Sequence, residues 1–254
     1  MKLLSMMAAL FMMNNVFAAT NKGLNPKSLI KRAEDQVLGR TFRGKLHMKI
    51  ERPDSLREME ILSWTEGRDK ALVKIVEPAK DQGIGNLRLA LDLWQYLPKV
   101  ERLIKIPPSL MLQSWMGSDF TNDDLVRTSS TYRDYTHQFA GYETIDGVKT
   151  AKIICTPKPN APVVWGKLEM WIDPVRAVTL RQDFYSEGGE LLKSMTGSKI
   201  KKFGTHTIAS RLEMKTVKKN TKTTIDYMDA TFDAKIDDSV FNQNFLKASI
   251  PSPR

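Results

Sequence analysis

The sequence is poor in the residues from which most active sites are built. It holds one cysteine and three histidines in 254 residues. Cys155 has no partner for an intramolecular disulfide, even in an oxidising compartment. His47, His137 and His206 are scattered, without a His-x-x-x-His spacing, so no metal site is expected from them. Neither a Gly-rich phosphate loop nor a Gly-x-Ser-x-Gly elbow is present. Cys155 lies in the strand-like "AKIICTP" and reads as a buried thiol rather than a nucleophile. Asp119, Asp123 and Asp124 could form a catalytic or calcium cluster, but acid beside Thr121 at the start of a helix accounts for them more simply. The expectation is a non-enzymatic protein that needs no cofactor.

Long apolar runs are also missing, except at the start. "MKLLSMMAALFMMNNVFAATNKG" has a basic Lys2, an apolar stretch from Leu3 to about Val16, and small residues around Ala18. Asn14 and Asn15 interrupt it, and it falls short of the roughly 18 apolar residues of a membrane span. A signal peptide of residues 1–18, cleaved after Ala18, is expected, leaving residues 19–254 as one domain. No lipobox cysteine is there to be acylated. The exported protein is therefore expected to be soluble and, in a host with two membranes, periplasmic.

Charge of one sign dominates. Lys and Arg number 39 against 29 Asp and Glu, and removing Lys2 changes this only to 38 against 29. Such a balance favours anionic partners. Export, and the absence of base-stacking aromatics among the lysines of "SKIKKF" and "KTVKKNTKTT", argue against nucleic acid. Lipid headgroups or an acidic membrane protein are the alternatives, beside plain solvation of strand faces.

One helix is predicted in "NPKSLIKRAEDQV". Asn25 is its N-cap, Pro26 its first residue, Leu29, Ile30, Ala33 and Val37 its apolar face, and Gly39 its stop. From Thr41 the period changes to 2. Phe42, Leu46, Met48 and Ile50 alternate with Lys45, His47, Lys49 and Glu51. Similar segments recur between turn signals and predict about ten or eleven antiparallel strands, with "NLRLALDLWQYLPKVERLIKI" read as two of them, bending near Pro98. The fold class is mainly β (α+β), a barrel or strongly curved sheet whose apolar concavity needs a cover. "LMLQSWMGSDF", after Pro107-Pro108, has no strand alternation and reads as a helical or loop-like plug.

Four segments together resemble the outer-membrane lipoprotein-sorting proteins of LolA-like fold. They are "LWQYLPKVERLIKI" (93–106), "SWMGSDFTNDDL" (114–125), "LEMWIDP" (168–174) and "TTIDYMDATFDAKIDDSVFNQNFL" (223–246). The chain departs from the pattern at Asn122, where an aromatic residue is expected. The resemblance implies an unclosed antiparallel β-barrel with helices over a hydrophobic concavity that shelters acyl chains of a lipid or lipoprotein. It further implies a monomer loaded by an inner-membrane transporter of RND or ABC type, delivering towards an outer-membrane acceptor. Nucleic acid is not an expected partner.

The candidate lipid-binding and lid residues are Trp94, Leu97, Leu110, Met111, Leu112, Trp115, Met116, Phe120, Met48, Ile50 and Met170. Apolar and aromatic side chains line pockets for apolar ligands, and methionine adapts to varied ones. Ordinary core packing is the competing reading for each. Trp171 must face away from Leu168, Met170 and Ile172. At the level of function, the alternative to a carrier is an accessory subunit that docks on an envelope transporter through its basic face. An enzyme acting on lipid or cell-wall material is a third possibility.

Overall fold

The computed structural model describes residues 23–122, 124, 130–161 and 163–249. The expected signal peptide lies outside the described residues. Helix α1 spans Pro26–Leu38. Asn25 caps it by accepting the Ser28 N–H at 3.0 Å, which satisfies one of the donors a helix start leaves free. Gly39 ends it at φ 58°, and its N–H donates to the Asp35 carbonyl. Leu29 and Ile30 are 2 % and 0 % exposed. Their burial contributes about 1.5–3 kcal/mol each to holding α1 on the sheet.

Among the described residues thirteen strands follow: β1 (Thr41–Arg52), β2 (Ser55–Glu66), β3 (Lys70–Glu77), β4 (Gly85–Leu89), β5 (Asp92–Leu97), β6 (Arg102–Ile106), β7 (Tyr135–Ile145), β8 (Val148–Pro157), β9 (Lys167–Asp173), β10 (Val178–Tyr185), β11 (Leu191–Phe203), β12 (His206–Thr216) and β13 (Thr221–Phe232). All belong to one antiparallel sheet in the order β6-β5-β4-β3-β2-β1-β13-β12-β11-β10-β9-β8-β7. First and last strands pair, so the meander would be a closed barrel if β6 met β7. It does not: residues 107–134 lead from one edge to the other, and the barrel stays open there.

The count of thirteen corrects the expected ten or eleven. Residues 86–106 make three strands rather than two, because a tight turn at Ala90 and Leu91 separates β4 from β5. Ala90 adopts φ 51°, a conformation usually given to Gly, Asn or Asp. Without such a residue the turn carries no signal in the sequence. Leu91, 86 % exposed at its tip, disguises it further as a strand position.

The two faces of the sheet bury different things. The inner face carries the main core, in which Met48, Ile50, Met59, Ile61, Val73, Ile75, Ile153, Met170 and Ile172 pack with α1, Trp115 and Phe120. On the outer face, cross-strand registry aligns Trp64, Leu72, Leu87 and Trp94 in one row. The C-terminal segment covers this row with Phe241, Phe245 and Leu246. Its short helix Gln243–Lys247 lies so close that a Cβ on Gly85 would stand 2.8 Å from Leu246. Lys74, 1 % exposed, reaches up from β3 to donate to the carbonyls of Phe245 and Ala248. Burial lowers its pKa to about 8.

Candidate functional site

The stretch from Leu110 to Phe120 is a loop of two short 3-10 turns, Pro108–Leu110 and Trp115–Gly117, closed by a bridge between Ser114 and Thr121. The sheet holds it by polar contacts at several points. Trp115, 1 % exposed, donates its indole N–H to Asn86 Oδ1 at 2.9 Å. Arg57 donates to the Met116 carbonyl at 2.9 Å and to Asp81 at 2.8 Å. Lys193 donates to the Asp119 carbonyl at 2.6 Å. Asn122, where the resemblance led us to expect an aromatic residue, ties the loop's start by donating to the Leu110 carbonyl at 2.9 Å.

Asp119 is the strongest anchor. Its Oδ1 accepts from Thr216 at 2.7 Å and Thr221 at 2.5 Å, and its Oδ2 from Thr223 at 2.7 Å and Arg52 at 3.0 Å. Burial pushes this carboxyl up, but the bonds from Thr221, Thr216, Thr223 and Arg52 outweigh it and hold the group below the ordinary aspartate value. Helix-start chemistry therefore explains Asp124 but not Asp119. Asp124 accepts from the Thr121 N–H at 2.8 Å, and Thr121 Oγ1 accepts from the Asp124 N–H at 3.1 Å, the reciprocal pattern of a capping box. Asp123 lies outside the described residues.

Between α1 and the inner face runs an open apolar cleft with two lobes. The first, about 1200 Å³ including space open to solvent, lies under Ala33, Val37 and Leu38 against Trp165, Leu168, Met170, Phe184, Met195 and Met214. The second, about 980 Å³ on the same basis, is walled by Phe42, Leu46, Met48, Ile61, Ala71, Val73 and Ile225. Val37, Leu38, Arg68, Phe120, Asp124, Leu212 and Tyr227 border both. At this shared waist Arg68 donates to Glu34 at 2.5 Å. Glu34 also accepts from Ser130 Oγ at 3.0 Å and from the Tyr132 N–H at 3.2 Å. Thr65 adds a buried hydroxyl oxygen to the second lobe, without a partner among the described residues.

Of the candidate residues, the fold brings Phe120, Met48 and Met170 to the cleft walls. Ile50 and Trp115 lie in the main core, with half-buried Met116 packed against it. Leu110, Met111 and Leu97 are half-buried, and Leu112 is exposed. Trp94 sits on the outer face, with Lys105 over its ring at 5.7 Å and the C-terminal segment beside it, away from the cleft. Trp171 does face away from its neighbours: its indole donates to Glu143 at 2.6 Å between Lys152 and Arg181. Sequence reasoning missed Leu212, Tyr227, Phe184 and Met214 as cleft residues. Each sits in an alternating strand whose lining face depends on where α1 lies.

An unclosed antiparallel half-barrel with a helix across its apolar concavity is the LolA-like fold, and this chain has it. Its sequence matches over residues 67–248 the model of a family described as "Uncharacterized protein", and the chain belongs to that family. Three solved structures are similar over 88 % of this chain and 100 % of their own. They are a DUF1329 family protein from Desulfovibrio piger (21 % identity, TM-score 0.81), a LolA superfamily protein from Nitrosomonas europaea (21 %, 0.74) and a putative outer membrane lipoprotein-sorting protein domain from Vibrio parahaemolyticus (22 %, 0.74). No curated protein matches the sequence.

Proposed function

We propose that this protein is a non-enzymatic periplasmic carrier that takes acyl chains of a lipid or lipoprotein into the inner cleft and shuttles them from an inner-membrane transporter towards the outer membrane. The observation that carries this reading is the two-lobed apolar cleft, which the sheet and α1 leave open rather than filling with side chains. Each buried CH₂ contributes about 0.8 kcal/mol, so a chain crossing water needs an enclosure of this kind. The likeness to a lipoprotein-sorting domain supports the same reading, as does the signal-like start of the sequence. Among the described residues, no helix is long and apolar enough to cross a membrane.

The competing reading, docking through a basic face, finds less support. In the lysine-rich hairpin of β12 and β13, Lys215 pairs with Glu213, Lys222 with Glu51 and Glu213, and Lys218 with Glu190. Three of the four lysines of "KTVKKNTKTT" thus have acidic partners, and Lys201 and Lys202 of "SKIKKF" are exposed on β11.

The test is native mass spectrometry of the protein purified from its own cells, with organic extraction of whatever it releases, beside uptake of fluorescent fatty-acyl probes. Bound lipid or acylated peptide is expected, and Leu212→Glu, at the half-buried waist, should abolish uptake in a folded protein. An empty wild type that also refuses the probes refutes the carrier.

A further inference from the structure

The shape of the cleft says more about the cargo than its greasiness does. It has two comparable lobes that diverge from one waist. One runs under α1 to Met170 and Phe184 on β9 and β10; the other runs to Met48, Ile61 and Val73 on β1, β2 and β3. The lobe walls are mainly apolar, with Gln36 and Gln182 in the first and Lys70 and Arg88 in the second, and the shared waist adds Arg68 and Asp124, with Glu34 bonded to Arg68.

A single long chain threaded through both lobes would lay methylenes against these charged groups and take water from them without replacing its hydrogen bonds, which is unfavourable. A molecule with two acyl chains joined at a polar centre fits without that conflict. Its chains diverge into the lobes, and its ester or phosphate oxygens accept from the Arg68 guanidinium at the waist. Resting on the carrier reading, we infer that the cleft takes a two-chain amphiphile, one chain in each lobe, with the polar junction at the Arg68 guanidinium. Phe120, Leu212 and Tyr227, which border both lobes, form the apolar saddle that the two chains straddle.

The inference predicts a stoichiometry. Palmitoyl lysophosphatidylcholine and dipalmitoyl phosphatidylcholine serve as probes, read by native mass spectrometry and by titration. The wild type should bind two molecules of the single-chain probe but one of the two-chain probe. Gln182→Trp fills space in the first lobe only, and Leu46→Trp in the second only. Both positions are half-buried at the cleft, so the larger ring has room to enter it. Each variant should keep one single-chain molecule and lose at least about tenfold in affinity for the two-chain probe. Circular dichroism and unchanged urea midpoints confirm folding, and Gln182→Leu and Leu46→Met, which leave the lobes open, should bind like the wild type.

One single-chain molecule per wild-type protein, lost in both Trp variants, would show one chain threading both lobes and overturn the inference while leaving the carrier standing. A two-chain probe indifferent to both fillings would also overturn it. Failure of every probe to bind would refute the carrier reading and the inference with it.

Discussion

Replacing Asp119 by alanine tests what holds the central loop in the barrel. In the wild type its carboxylate accepts from three threonine hydroxyls and from Arg52, and it is 4 % exposed. Truncation leaves these donors facing an apolar methyl group, with the half-buried Arg52 charge uncompensated. Breaking one partner of a buried, hydrogen-bonded charge pair costs about 3–5 kcal/mol. At about 2–4 °C per kcal/mol for a chain near this size, that is a fall in Tm of roughly 6–20 °C. Urea unfolding at pH 7 reads the loss directly, and the acid limb adds an independent check. The folded-state pKa of Asp119 is depressed, so its contribution is fully present above the ordinary aspartate value and is lost as pH falls through the lower folded value. Below about pH 4 the wild type should therefore lose stability more steeply than Asp119→Ala, and the two curves should converge. A loss under about 1 kcal/mol at pH 7, or parallel acid limbs, would refute the anchoring role.

Trp115→Ala removes a fully buried indole and should destabilise by about 3–5 kcal/mol in urea unfolding, whereas a smaller loss would mean that the loop's ring is not core. Lys74 has a folded pKa of about 8, lowered by burial. Between that value and about 10.4 the unfolded state binds more protons, so wild-type stability relative to Lys74→Met should rise with pH, by at most about 1.4 kcal/mol per unit; a flat difference from pH 8 to 10 contradicts this. Burial raises the Cys155 thiol to about 12, so it should resist Ellman's reagent until the protein unfolds, and rapid labelling of the native protein would count against its placement. Gly85→Ala would put a Cβ 2.8 Å from Leu246 and 2.9 Å from the Val73 carbonyl, and it should cost about 1–3 kcal/mol unless the C-terminal helix shifts without consequence.

Local chemistry was legible in the sequence wherever neighbours along the chain decide it. The Asn25 cap, the Pro26 start and the Gly39 stop set the bounds of α1, because capping depends on residues three or four apart. Period-2 alternation marked β1 and the opposite facing of Trp171 and Met170, because a strand's faces follow from its own pleat. The residues that carried the likeness, from "LWQYLP" to "FNQNFL", likewise announced the half-barrel. Three things were settled only by contacts between distant segments. Alternation says that Trp94 and Leu93 face opposite ways but not which face is inner; the row from Trp64 to Trp94, covered by Phe245 and Leu246, decided that. Asp119 looked like helix-start acid until Thr216, Thr221 and Thr223 converged on it from about a hundred residues away. The cleft itself is a volume between α1 and seven or more strands, and its lining residues belong together only once β1 has paired with β13 and left the barrel open between β6 and β7. Sequence determines which residues can be apolar on one side, whereas the enclosed space depends on how the whole sheet curves.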